Sequence, residues 1–152
     1  QLITNNSLCC FGSDFVLPIL QPTKTIRTMK TKFFKCETCG NVAIKVVDSN
    51  VPLVCCGKRM TELKANTEES GAEKHLPVVT RLDEHRIKIE VGSVAHPMLP
   101  EHHIAFIYVE TDNGGIRIDL KDKPEAVVCV CESKVKAVYE YCNIHGLWKL
   151  EM

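Results

Sequence analysis

The chain has 152 residues, and lysine plus arginine equals aspartate plus glutamate at 19 each, so its formal net charge is zero. That length holds one ordinary domain or a domain plus a small module, and the charge balance argues against a nucleic-acid or membrane-surface protein, which would carry a basic excess. No apolar run approaches the ~20 residues of a membrane span, the first residues lack the basic-then-apolar order of a signal peptide, and nine cysteines therefore read as metal ligands or reduced thiols of a cytoplasmic protein.

Residues 1–28 mix polar residues with the short apolar patch Phe15-Val16-Leu17 and follow neither a helical nor a strand period, so they read as a disordered extension ahead of a natural start at Met29. Cys9 and Cys10 have no partner nearby and read as thiols. Residues 29–63 form a small unit in which Cys36-Glu37-Thr38-Cys39-Gly40, the strand-like Val42 to Val47, the turn Asp48-Ser49-Asn50 and Val54-Cys55-Cys56-Gly57 follow one another. Four cysteines at this spacing predict a tetrahedral all-thiolate site. A CxxCG knuckle lets backbone amides reach the sulfurs, and ~30 residues cannot fold on apolar burial alone. The adjacent Cys55-Cys56 pair predicts a distorted tetrahedron, since neighbouring side chains splay apart.

Residues 64–72 are polar and aperiodic and read as a linker. The rest of the chain, 73–152, offers seven strand-like segments: 77–81, 86–91, 104–110, 116–120, 126–130, 134–139 and 147–151. Several alternate cleanly, as Ile87-Lys88-Ile89-Glu90-Val91 does, Asn113-Gly114-Gly115 supplies a hairpin turn, and the pattern predicts an all-β, antiparallel β-sandwich. Cys129 and Cys131 fall on one face of such a strand and read as buried or surface thiols, because a bridge between i and i+2 is strained.

A second donor set lies in this half. His75 precedes Pro77, His96 precedes Pro97, His102 and His103 stand before Ile104, and Cys142 and His145 sit three residues apart beside Gly146. A lone histidine is usually a surface or satisfied core residue, but this clustering at strand edges points to one shared metal site. His85, in the turn Asp83-Glu84-His85, reads as solvated surface.

Together, Cys36-x-x-Cys39-Gly40, Cys55-Cys56-Gly57, Glu73-Lys74-His75-x-Pro77-Val78, Gly92-Ser93-Val94-x-His96-Pro97-Met98 and Tyr141-Cys142-Asn143-x-His145-Gly146-x-Trp148 resemble desulfoferrodoxin, the two-iron form of superoxide reductase, over about residues 33–152. The resemblance implies a desulforedoxin-like module with iron on Cys36, Cys39, Cys55 and Cys56, and an immunoglobulin-like sandwich with a catalytic iron. His75, His96, His102 and His145 match that iron's equatorial ligands and Cys142 its axial thiolate, which pushes electron density toward the metal. Glu73 and Lys74 match a loop pair over the open position. It further implies superoxide as substrate, hydrogen peroxide as product, a rubredoxin-like electron donor and a homodimer. His103 stands where the family carries an aromatic residue, and the six-residue step from His96 favours His102 as the ligand. Zinc fits the four thiolates as well as iron. Two other readings keep the metals without the catalysis: an electron-transfer or redox-sensing protein, and a zinc-ribbon binding module.

Overall fold

The computed structural model describes residues 30–67 and 71–152, so the reading of residues 1–28, with Cys9 and Cys10, lies outside the described residues. Five short strands build the first unit: β1 (Phe33–Lys35), β2 (Val42–Ile44), β3 (Val54–Cys55), β4 (Lys58–Arg59) and β5 (Thr61–Glu62). β1 lies between β2 and β5, antiparallel to both, and β3 and β4 form a separate hairpin across Cys56-Gly57. The strand expected through Val47 stops at Ile44. Lys45 there turns inward to the Asp48 carboxylate and the Val51 carbonyl, each at 2.7 Å, and closes the loop.

The second unit opens with a single helical turn, α1 (Ala72–His75), and continues as β6 (Pro77–Arg81), β7 (Arg86–Val91), β8 (Ile104–Thr111), β9 (Gly114–Asp119), β10 (Glu125–Cys129), β11 (Val135–Cys142) and β12 (Gly146–Glu151). These are the seven strands that the alternation predicts. They form two antiparallel sheets, ordered β10-β7-β6 and β12-β11-β8-β9, and Ile87, Ile89, Val91, Ile104, Ile107, Val109 and Val138 fill the space between them. The β8–β9 turn is Asp112-Asn113, and Gly114 and Gly115 are already paired in β9. The Tyr108 ring lies over Gly115, where a Cβ would fall 1.8 Å from its hydroxyl, so a side chain there would have to displace that ring.

β11 is buried on both faces, and its period of two divides the labour. Val138 and Cys142 face the sandwich core, whereas Ala137, Tyr139 and Tyr141 join Phe33 in a second cluster on the outer face of the four-stranded sheet. A register shift between Val135 and Ala137 brings Val135 back to the inner core. The small unit docks on that outer face through Phe33, which is 1 % exposed and lies 5.2 to 5.9 Å from the rings of Tyr139, Tyr108 and Phe106. The segment between the units is tied down as well: the Asn66 N–H donates to the Leu147 carbonyl, and the Lys149 N–H donates to the Asn66 carbonyl.

Two local readings change. The strand that carries Cys129 ends there, and Cys131 adopts a left-handed φ of 48°, so the two cysteines do not share a continuous strand face. Lys74 does not sit in a loose loop but on α1, whose backbone is pinned: the Val94 N–H and the Ser93 hydroxyl both donate to the Glu73 carbonyl.

Candidate metal centres

The first centre follows from two tight turns. In the knuckle, the Gly40 N–H donates to the Cys36 carbonyl and the Cys36 N–H to the Asn41 carbonyl, folding Cys36 and Cys39 to one side. At the other turn Cys56 takes a left-handed φ of 49°, followed by Gly57 at 73°. That reversal answers the splay expected of adjacent residues, because it swings the second sulfur back toward the first. Their Sγ atoms lie 3.9 Å apart, Cys39 and Cys55 lie 3.6 Å apart, and all four donor atoms fall within 4.8 Å of one another. The electrostatics match a cation site. Backbone amides of Cys39 and Thr38 lower the Cys36 thiol to about 6, while hydrogen bonding with Cys39, Cys55 and Cys36 pushes Cys56 up to about 12. The cluster favours one thiolate but resists accumulating more without a positive charge at its centre.

The second centre lies at one end of the sandwich, where α1 leads into β6, the β7–β8 connection passes and β11 turns into β12. Donor atoms of His75, His96, Cys142 and His145 lie within 4.8 Å of one another, with the Cys142 sulfur 3.6 Å from His96 Nε2 and 3.4 Å from His145 Nδ1. His102 stands beside this set, its ring 4.5 Å from that of His96 and 4.9 Å from that of His145. His103 turns away, with Nδ1 3.1 Å from the Leu99 carbonyl. Asn143 fixes the loop between them: its side-chain amide donates to the Glu101 carbonyl and its Oδ1 accepts the His103 N–H, both at 2.9 Å.

The His96 ring is oriented by its other nitrogen, and the His75 ring by packing. His96 Nδ1 lies 2.6 Å from the Pro97 carbonyl, which can only accept, so the proton sits there and the Nε2 lone pair faces the sulfur. His75 Nδ1 lies 3.3 Å from Oε1 of the fully buried Glu140 carboxyl group, without a hydrogen bond between them, and its ring stacks on Trp148 at 5.0 Å and 14°. Burial lowers the pKa of His75, His102 and His145 and brings His96 to about 4, so all four rings are neutral near pH 7. Burial pushes the Cys142 thiol up, against the pull of the His145 and Ile144 amides, and raises Glu140 to about 9. Four neutral imidazoles and a thiol, with His75, His96 and Cys142 buried, suit a cation that would deprotonate the sulfur. His102 Nε2 sharpens the fit, being buried with no hydrogen-bond partner, an arrangement that costs about 1–3 kcal/mol unless something binds it.

Glu73 and Lys74 are exposed at the rim, and the Lys74 charge reaches inward, contributing to the lowered pKa of His75, His102 and His145. Gly92 makes their position possible. A Cβ at this residue, which has φ 77°, would fall 2.6 Å from the Lys74 carbonyl carbon and 2.7 Å from the Glu73 oxygen. Glu140 is the residue that sequence reading misses. The signal was available, since its parity places it on the face of Val138 and Cys142. His85 also differs from the solvated residue expected, for its Nδ1 is buried without a partner.

Comparison with known proteins agrees with this architecture. A family model described as desulfoferrodoxin matches residues 67–151, and one described as the desulfoferrodoxin N-terminal domain matches residues 28–63. A desulfoferrodoxin of Syntrophotalea carbinolica is 42% identical over 124 residues, covering 80% of this chain and 97% of that protein. A superoxide reductase of Pyrococcus horikoshii is 36% identical over 99 residues, covering 53% of this chain and 86% of that protein. The crystal structure of the superoxide reductase from Treponema pallidum superposes with a TM-score of 0.69 at 28% identity, covering 80% of this chain and 98% of that one.

Proposed function

The chain belongs to the desulfoferrodoxin family, and from that membership we infer that it is a superoxide reductase, taking superoxide to hydrogen peroxide with electrons from outside. The observation that carries the reading is the convergence of four imidazoles on the Cys142 thiol, with His75, His96 and Cys142 buried. We assign His75, His96, His102, His145 and Cys142 as ligands of the catalytic metal, and Cys36, Cys39, Cys55 and Cys56 as ligands of the first. Residues 29–63 then form the first module, 64–72 the connection and 73–152 the catalytic domain. Five converging donors exceed the four that zinc takes in structural sites, which favours iron in the sandwich, whereas the four thiolates accept either metal. Iron bound there supplies the electron that superoxide takes up.

The protein's own residues do the rest. The Pro97 carbonyl holds His96 in the tautomer that turns its lone pair inward, and the Glu140 carboxyl group and the Trp148 ring pack against His75. Lys74 places a positive charge at the rim, where it draws in a small anion, and its ammonium can hold water for proton delivery. Glu73, beside it, is placed to meet the site once product has left. The reading extends to a rubredoxin-like donor, a homodimer and a reducing cytoplasmic setting in which thiolate centres persist.

Product stoichiometry tests the reaction. Metal-loaded, pre-reduced protein given a pulse of superoxide should form one peroxide for each superoxide consumed and no dioxygen. Release of dioxygen alongside peroxide would make it a dismutase, and no loss of superoxide beyond the protein-free rate would remove the activity.

A further inference from the structure

We propose that Cys129 and Cys131 are a peroxide-responsive dithiol, a redox site separate from both metal centres that closes to an intramolecular disulfide when hydrogen peroxide oxidises it. Their sulfurs lie 3.1 Å apart, nearer than Cys39 and Cys55 at 3.6 Å within the metal cluster and about 1 Å beyond a disulfide bond length. Both are half-buried, within reach of a small oxidant.

A regular strand does not bring i and i+2 sulfurs so close, because side chains on one face repeat at almost 7 Å. Here β10 ends at Cys129 and the chain turns back, with the Ser133 N–H donating to the Val130 carbonyl and the Val130 N–H donating to the His85 carbonyl at 2.7 Å. Pinned on both sides, Cys131 takes φ 48°, a left-handed conformation that is strained for a residue with a Cβ. The strain is informative, since its result is to bring the two sulfurs together.

The pair is remote from the catalytic end. Cys129 pairs with Arg86 at the start of β7, and the loop carrying His96 leaves from Val91 at its end, roughly 17 Å along the strand. Peroxide therefore reaches it by diffusion. One thiolate attacks a peroxide oxygen, the O–O bond breaks, water leaves and a sulfenic acid remains. The second thiolate attacks that sulfur, the S–O bond breaks and a second water leaves. Two thiols and one peroxide become one disulfide and two waters, with two electrons passing to the peroxide oxygens. The small ring closed by an i,i+2 bridge is strained, so an external dithiol reductant resets it readily.

The role rests on the superoxide reading, because the oxidant is the product that reaction releases, but its chemistry is tested with added peroxide and stands apart from that reading. Reduced, metal-loaded full-length chain is exposed to a small excess of hydrogen peroxide, quenched with an alkylating agent and digested. The peptide carrying both cysteines should lose the mass of two hydrogens, take no alkyl group, and regain two alkylatable thiols after dithiothreitol. Two alkyl groups after peroxide, sulfinic or sulfonic acids on either residue, or a bridge between two chains would each overturn the proposal. In Cys131→Ser, Cys129 should stop at a sulfenic acid captured by a dione probe, with superoxide reduction at the wild-type rate. A loss of that rate would show that the pair is not separate from the catalytic centre.

Discussion

Cys36 to Cys56 span 21 residues, whereas His75 to His145 span 71, and the two centres are held in correspondingly different ways. The first unit has little interior of its own. Val46, Val47, Val51 and Val54 are exposed, its one fully buried large side chain, Phe33, is spent on docking to the sandwich, and the four sulfurs are what its two turns share. The second centre sits at the end of an apolar core that exists without it, and its donors come from segments that only the folded sandwich brings together. In the first, metal makes the fold, and in the second, the fold makes the metal site.

The sharpest way to break that contrast is to remove the metals. Metal binding to a four-thiolate module carries on the order of 10 kcal/mol of folding free energy. Chelation should therefore collapse hydrogen-exchange protection in β1 to β5 and leave β7, β8 and β11 protected; equal loss in both units would erase the distinction. Next in size is Cys142→Ser, which should remove the thiolate charge-transfer absorption of the sandwich and nearly all superoxide reduction while the four-cysteine absorption persists. Unchanged kinetics would take Cys142 out of the chemistry.

Smaller perturbations test how far the scaffold controls the rim. Gly92→Ala pushes a Cβ against the backbone that carries Glu73 and Lys74, at a positive φ, and should cost about 2 kcal/mol, read as a lower melting temperature of the sandwich with the module's absorption intact. No change in melting would mean that α1 shifts freely. Lys74→Ala should slow the encounter with superoxide about tenfold at low salt and flatten its ionic-strength dependence. A wild-type rate at low salt would end the steering role.

Most of the architecture was legible because it is written in short-range patterns: cysteine pairs at ligand spacing, and alternation in strands such as Ile87 to Val91. What escaped depends on burial decided elsewhere. β11 was expected to end at Tyr139, yet it runs on to Cys142 and carries Glu140 inside, where burial raises its carboxyl group to about 9. Lys74 read as part of a loop since a one-turn helix has no period to detect, and its shape is set by hydrogen bonds from residues 93 and 94. Asn66 looked like linker because its pairing is with β12, far away in sequence. The six-residue step from His96 favoured His102, and the structure adds the direction, with the His103 ring turned to the Leu99 carbonyl.

The stacking of Trp148 on His75 gives the molecule a built-in optical reporter. It is the chain's single tryptophan, its ring is 2 % exposed, and it lies 5.0 Å from an imidazole of the catalytic set. Its emission should be that of an indole shielded from water, and occupation of the neighbouring site by an open-shell metal should quench it, while filling the four-cysteine centre alone should leave it bright. Titrating metal into apoprotein while following this one fluorophore would time the loading of the catalytic centre separately from the first, with no label attached.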